Sequence, residues 1–199
     1  MEFAPLLAAA LLAAASVPHS DVDRTAHFVS QNNAVVVPAP AAAQHAVPES
    51  PAVGSAAPDF TYQSFDYQWR NLHHMLAQGS VLLVFGASDE QLQSLERDRE
   101  TLLKRGVIPV AVVDRKESDV WRTVNRFGLS YSLLSDPHTA IAEQFGAIDA
   151  SRHAAPAWFV IDPAGHVRGE GKGAVPGTDW VSLSDTALGH SDIATTSAH

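Results

Sequence analysis

Val81-Leu82-Leu83-Val84-Phe85 is an unbroken apolar run. A strand with one wet face would alternate apolar and polar side chains, so an unbroken run fits a strand only when both of its faces are covered. The surrounding sequence supplies the cover. Glu90 to Lys104 has Leu92, Leu95, Leu102 and Leu103 on one side and charges elsewhere, which predicts an amphipathic helix ending at Gly106. Val107 to Val113 reads as a second buried strand. Ser118 to Phe127 reads as a second helix, with Val120, Trp121 and Val124 inward and Gly128 as its stop. Thr139 to Phe145 is a short third helix and Trp158 to Ile161 a third strand. Asp162-Pro163-Ala164-Gly165 then turns the chain into His166-Val167-Arg168 as a hairpin. The order β-α-β-α…β-β predicts an α/β fold, with a mixed central sheet and helices on both faces.

The flanks differ in composition. Phe3 to Val17 is almost wholly Ala, Leu and Val, too short to span a bilayer but suited to the apolar region of a signal peptide. Ala13-Ala14-Ala15 offers small residues for cleavage, although Met1-Glu2 ahead of the run brings no Lys or Arg. The expectation is export to a periplasmic or extracellular space, with a cytoplasmic location as the alternative. The division expected is 1–19 as signal peptide, 20–51 as an Ala/Pro-rich linker, 52–173 as the folded domain and 174–199 as a tail. Within the linker, Ala34 to Val37 offers one short strand. Within the tail, Trp180 to Leu188 offers one short helix, and Gly169 to Gly173 reads as a flexible loop.

Charge and cysteine content limit the chemistry. The chain has 13 Lys plus Arg against 22 Asp plus Glu, a formal net charge of -9, and no basic run that would seek nucleic acid or an anionic membrane. It contains no Cys in 199 residues, which removes disulfides, thiolate metal sites and thiol catalysis together.

Three segments carry a family resemblance. Val53-Gly54-Ser55-Ala56-Ala57-Pro58-Asp59-Phe60 resembles the entry VGxxAPDF of redoxin domains. Leu133-Leu134-Ser135-Asp136-Pro137, followed by Ala142 and Phe145-Gly146, resembles their LLSDPxxxxAxxFG segment, and Pro156 to Gly165 resembles their PxxFVIDxxG strand and turn. In this order and spacing the chain resembles the redoxin group of thioredoxin-fold proteins, the AhpC/TSA (alkyl hydroperoxide reductase, thiol-specific antioxidant; peroxiredoxin-like) and thioredoxin-like families. The resemblance implies a thioredoxin-like fold over about 120 residues, in agreement with the element order.

The resemblance stops at the chemistry. Where the thioredoxin-like branch has a segment like FWASWCPPC, this chain reads Phe85-Gly86-Ala87-Ser88-Asp89-Glu90-Gln91-Leu92-Gln93, so the positions matching the two Cys fall on Glu90 and Gln93. The Pro, Thr and Cys expected of a peroxiredoxin in this loop are missing, and the Arg that usually precedes the FVID strand falls on Pro156. Pro156 instead resembles the cis-proline of thioredoxins, its isomer left open by the sequence. In such relatives the backbone beside that proline pairs with an extended substrate, which makes Ser88, Ala155, Pro156 and Ala157 the expected binding groove.

A redox dithiol works because a helix N-terminus stabilises a thiolate that is both nucleophile and leaving group. Glu, Gln and Ser form no reversible S–S bond. Ser88-Asp89-Glu90-Gln91 instead fits a capping box, with Asp89 and Glu90 favourably placed in the first turn. Ten His are present, but His73-His74 are adjacent, His138, His153 and His166 fall in loops, and no H-x-x-x-H spacing occurs, so no metal site or cofactor is expected.

Three functions compete. The first is a thiol-less domain that binds or scaffolds a protein or peptide partner. The second is an antioxidant or thiol–disulfide oxidoreductase, as the family resemblance implies, borrowing a partner's thiol. The third is a binder of metal or small acids through Glu90 and nearby His. Absence of Cys favours the first.

Overall fold

The computed structural model describes residues 49–63, 68–173 and 179–190. The expected signal peptide, nearly all of the linker with its Ala34 to Val37 strand, and the last nine residues lie outside the described residues. Five strands form one sheet in the order β5-β4-β3-β6-β7. The central strand is β3 (Ser80–Phe85), parallel to β4 (Val107–Val113) and antiparallel to β6 (Ala157–Ile161). β4 continues parallel to β5 (Ser132–Ser135), and β6 continues antiparallel to β7 (Val167–Lys172).

Every side chain from Val81 to Phe85 is at 0% exposure, so the apolar run is buried on both faces. Period-two alternation then divides it between two cores. Val81, Leu83 and Phe85 join Leu72, Met75 and Leu76 of α1 (Leu72–Leu76), Ile141 and Ala142 of α4 (Ala140–Gln144), and Phe60 and Tyr62. Leu82 and Val84 join Leu92, Leu95 and Leu102 of α2 (Asp89–Lys104), Val120 and Val124 of α3 (Glu117–Phe127), and Trp180 of α5 (Trp180–Leu188). The fold class expected from sequence is the one observed, with ends moving by a residue or two. In the first core Phe85, Phe145 and Phe159 meet with ring centroids 5.1–5.9 Å apart.

Two quoted motifs are structural devices. Asp136, in the segment resembling LLSDP, is buried, and its carboxylate accepts the N–H groups of Ala140, Ile141 and Ala142 at 2.8, 3.0 and 3.0 Å. These are the orphan donors at the start of α4. Asp162, in the segment resembling FVID, accepts the His166 N–H at 2.9 Å and pairs with Arg168 Nε at 2.8 Å, closing the turn between β6 and β7.

Several local expectations are corrected. Trp121 is 57% exposed and Leu103 42% exposed, although the sequence pattern predicts both inward. Consecutive helical residues are rotated by about 100°; the seams Val120/Thr123/Val124 and Leu92/Ser94/Leu95/Leu102 take the core, and their neighbours turn outward. Gly169 and Gly171 are not in a loop, because β7 runs through them and ends at Lys172, just before Gly173. They belong there because Trp158 lies over the strand. A Cβ on Gly171 would sit 2.4 Å from Trp158 Nε1, and one on Gly169 only 2.7 Å from Ala187 Cβ. Strands β1 (Thr61–Gln63) and β2 (Trp69–Asn71), paired antiparallel, carried no sequence signal, and neither did β5 as a strand.

Helix α5 is part of the packed body. Asp179 accepts the Ser182 N–H at 2.8 Å as its cap, Trp180 is 1% exposed, and Asp98 of α2 accepts the Trp180 backbone N–H at 3.2 Å. Asp185 forms an ion pair with Arg105. Replacing Trp180 with Ala should therefore cost about 3–5 kcal/mol in urea unfolding, whereas a merely adhering helix would leave the midpoint unchanged. Burial raises the Asp98 carboxyl above its ordinary value, with Asp179 adding to the effect. A raised folded-state value means that stability falls as pH rises through that carboxyl's titration. Asp98→Asn keeps an acceptor for Trp180, so it should raise the melting temperature at pH 7 and lose that advantage below pH ~4, the unfolded range of Asp.

Candidate functional site

The site where a thiol pair would stand is built from the exits of β3 and β4 and the entry to β6. Gly86 leaves β3 at φ +58, and a Cβ there would meet the Ala155 carbonyl carbon and the Pro156 nitrogen, each at 2.8 Å. Only glycine allows this backbone approach together with that φ. The loop carrying Ser88 is thus set against the loop carrying Ala155 and Pro156, while Ala157 pairs with Phe85 inside the sheet.

At the mouth of α2 the capping box is complete. Ser88 Oγ accepts the Gln91 N–H at 3.3 Å, and Gln91 Oε1 accepts the Ser88 N–H at 2.9 Å. Glu90 and Gln93 are exposed, and the Gln93 amide donates to the Asp89 carbonyl at 3.2 Å. Spaced by three, they share a helix face. The two positions expected from sequence to match the family thiols thus present a carboxylate and an amide to water, beside the Ser88 hydroxyl that caps the helix.

The other side of the expected groove differs from a strand-pairing site. No cis peptide occurs among the described residues, so Pro156 is trans. The Ala155 N–H donates to the Ala147 carbonyl at 2.9 Å and the Pro156 carbonyl accepts the Gly173 N–H at 2.8 Å. Ala157 is 1% exposed and paired on both sides, with Phe85 and Lys172. Two of the backbone groups that would receive an extended substrate, the Ala155 N–H and the Pro156 carbonyl, are therefore already used. What remains open is side-chain surface at Ser88, Glu90, Gln93 and Pro156.

Two side chains just past β4, Asp114 and Arg115, make polar contacts at this end of the sheet that no sequence motif marks. Arg115, just past β4, reaches Asp89 Oδ1 at 3.0 Å and Thr123 Oγ1 at 3.4 Å. Asp114 Oδ2 stands 3.2 Å from His153 Nδ1, tying β4 to the loop before Pro156. The partners are 26 and 39 residues apart, and no local pattern marks them. His73 and His74 are exposed on α1, and among the described residues no three His, Asp or Glu side chains converge as metal ligands.

A mixed five-stranded sheet covered by helices on both faces, with a helix opening directly after its central strand, is the thioredoxin-like arrangement. Solved structures share it. The peroxidoxin BcpB from Mycobacterium tuberculosis is 19% identical over 70% of this chain and 95% of its own, with a TM-score of 0.61. The reduced 2-Cys peroxiredoxin of Plasmodium vivax is 19% identical over 69% and 95%, at 0.59, and AhpC of Mycobacterium bovis 14% over 74% and 98%, at 0.61. A search of curated proteins finds no match. The model of the AhpC/TSA family matches residues 53–170, and the chain belongs to that family.

Gly86→Ala should be the most damaging small substitution at this site. It should lower stability by about 1–3 kcal/mol through strain and the backbone clash, and shift the amide NMR signals of Ala154, Ala155 and Ala157. Retention of wild-type stability would show that the two loops are not packed as described.

Proposed function

We propose that this chain is a non-catalytic member of the AhpC/TSA family, a binding or scaffold module whose contact surface is the former thiol site. The observation that carries the reading is the replacement of the thiol pair by exposed Glu90 and Gln93 above the Ser88–Gln91 capping box, in a chain with no Cys. A hydroxyl accepting a backbone N–H cannot serve as a redox leaving group, whereas carboxylate and amide groups on a helix end are suited to hydrogen bonding with a partner. Because the Ala155 N–H and the Pro156 carbonyl are already bonded within the chain, the protein or peptide partner engages side chains at Ser88, Glu90, Gln93 and Pro156 rather than adding a strand. Among the described residues no helix is long and apolar enough to cross a membrane. Export, supported by the apolar Phe3 to Val17 run, belongs to the same reading.

Hydroperoxide consumption and insulin-disulfide reduction with dithiothreitol test it. The native protein should not exceed the reductant blank, and a folded Glu90→Cys/Gln93→Cys variant should. Native turnover above the blank would overturn the reading in favour of an antioxidant oxidoreductase. On the binding side, a panel of extended peptides should shift the amide signals of Ser88 to Gln93, and shifts confined to other surfaces would equally overturn it.

A further inference from the structure

Three of the chain's arginines converge on one cleft beside this site. Arg115 enters from the end of β4, and Arg122 and Arg126 from successive turns of α3. With Asp89, Asp119 and Thr123 they line a cavity of about 420 Å³. The cleft lies outside the carboxyl ends of the parallel strands β3 and β4, where α/β sheets hold ligands. Its charge is opposite to that of the chain, since three guanidinium groups face two carboxylates in a protein of net charge -9.

The donors outnumber the acceptors. Arg115 gives one nitrogen to Asp89 and Thr123, and Arg122 gives one to Asp119 and its Nε to the Ser118 carbonyl at 3.4 Å. Arg126 has no carboxylate partner among the described residues and lies over the Phe127 ring at 5.0 Å. Each guanidinium carries five N–H donors in a planar fork, so most of the donor capacity around the cleft is unused. A monocarboxylate would only repeat what Asp89 and Asp119 already provide. The surplus is one positive charge and many unused N–H donors, which an oxyanion with at least three acceptor oxygens fills better than a carboxylate. The first turn of α2 adds favourable partial charge at Asp89.

We propose that the Arg115–Arg122–Arg126 cleft binds a phosphate group, either as the free ion or as a phosphate monoester. The assignment is independent of the binding function proposed for Ser88, Glu90 and Gln93.

The test is titration of the full-length isotope-labelled protein with inorganic phosphate, phenyl phosphate and phenylacetate, read at the arginine side-chain N–H signals. Phosphate should give saturable shifts at all three arginines. Arg122→Gln and Arg126→Gln should each weaken binding about fivefold or more, and Asp119→Asn should tighten it. Arg97→Gln, an equal charge change on the exposed face of α2, should leave it unaltered. Tighter binding of phenyl phosphate would assign a monoester and tighter binding of inorganic phosphate the free ion. Absence of saturation with both, equal weakening by Arg97→Gln, or equal affinity for phenylacetate would overturn the proposal.

Discussion

Burial of β3 on both faces is the constraint on which the rest of this molecule depends. Five consecutive apolar side chains give up their contact with water, at about 1.5–3 kcal/mol for each Val, Leu or Phe fully buried. That gain is available only if two separate layers close over the strand. Alternation sends Val81, Leu83 and Phe85 to one layer and Leu82 and Val84 to the other. Each helix then has a defined side of the sheet. The exits of β3 and β4 consequently open at one end, where the candidate site and the arginine cleft both stand.

The same end shows how a helix N-terminus is satisfied in a family member that has no Cys. A thiolate at a helix N-terminus draws stabilisation from unsatisfied N–H groups and the helix dipole. Here Ser88 and Gln91 satisfy those groups reciprocally, and Asp89 and Glu90 place negative charge in the first turn. The electrostatic role is retained by groups without redox chemistry. Across the gap, the trans peptide at Pro156 and the occupied bonds of Ala155 and Pro156 turn a potential strand-pairing edge into part of the closed sheet. Both loops are thus largely self-contained, and the groups they leave exposed are the side chains of Ser88, Glu90, Gln93 and Pro156.

Much of this was legible in the sequence because it is local. The bounds of β4 and α5 were read to the residue, and the capping box was read from four consecutive residues. Local pattern failed where distant partners decide. The glycines of β7 look like a loop until Trp158 is laid over them. Trp121 looks like core until the α3 seam is seen to be filled by Val120, Thr123 and Val124. Strand β5 was present as a quoted motif but not as an element, because four residues with two polar ends carry little periodicity.

Residue identity and short-range spacing alone reveal the α/β class, the family, the lack of Cys and the Ser88–Gln91 helix cap. Tertiary structure decided that Gly86 meets Pro156, that the backbone beside Pro156 is already paired, and that Arg115, Arg122 and Arg126 share one cleft with Asp89. Those contacts join segments tens of residues apart. Their geometry is set by how the sheet orders its strands and how its two cores seat the helices, which no local pattern encodes.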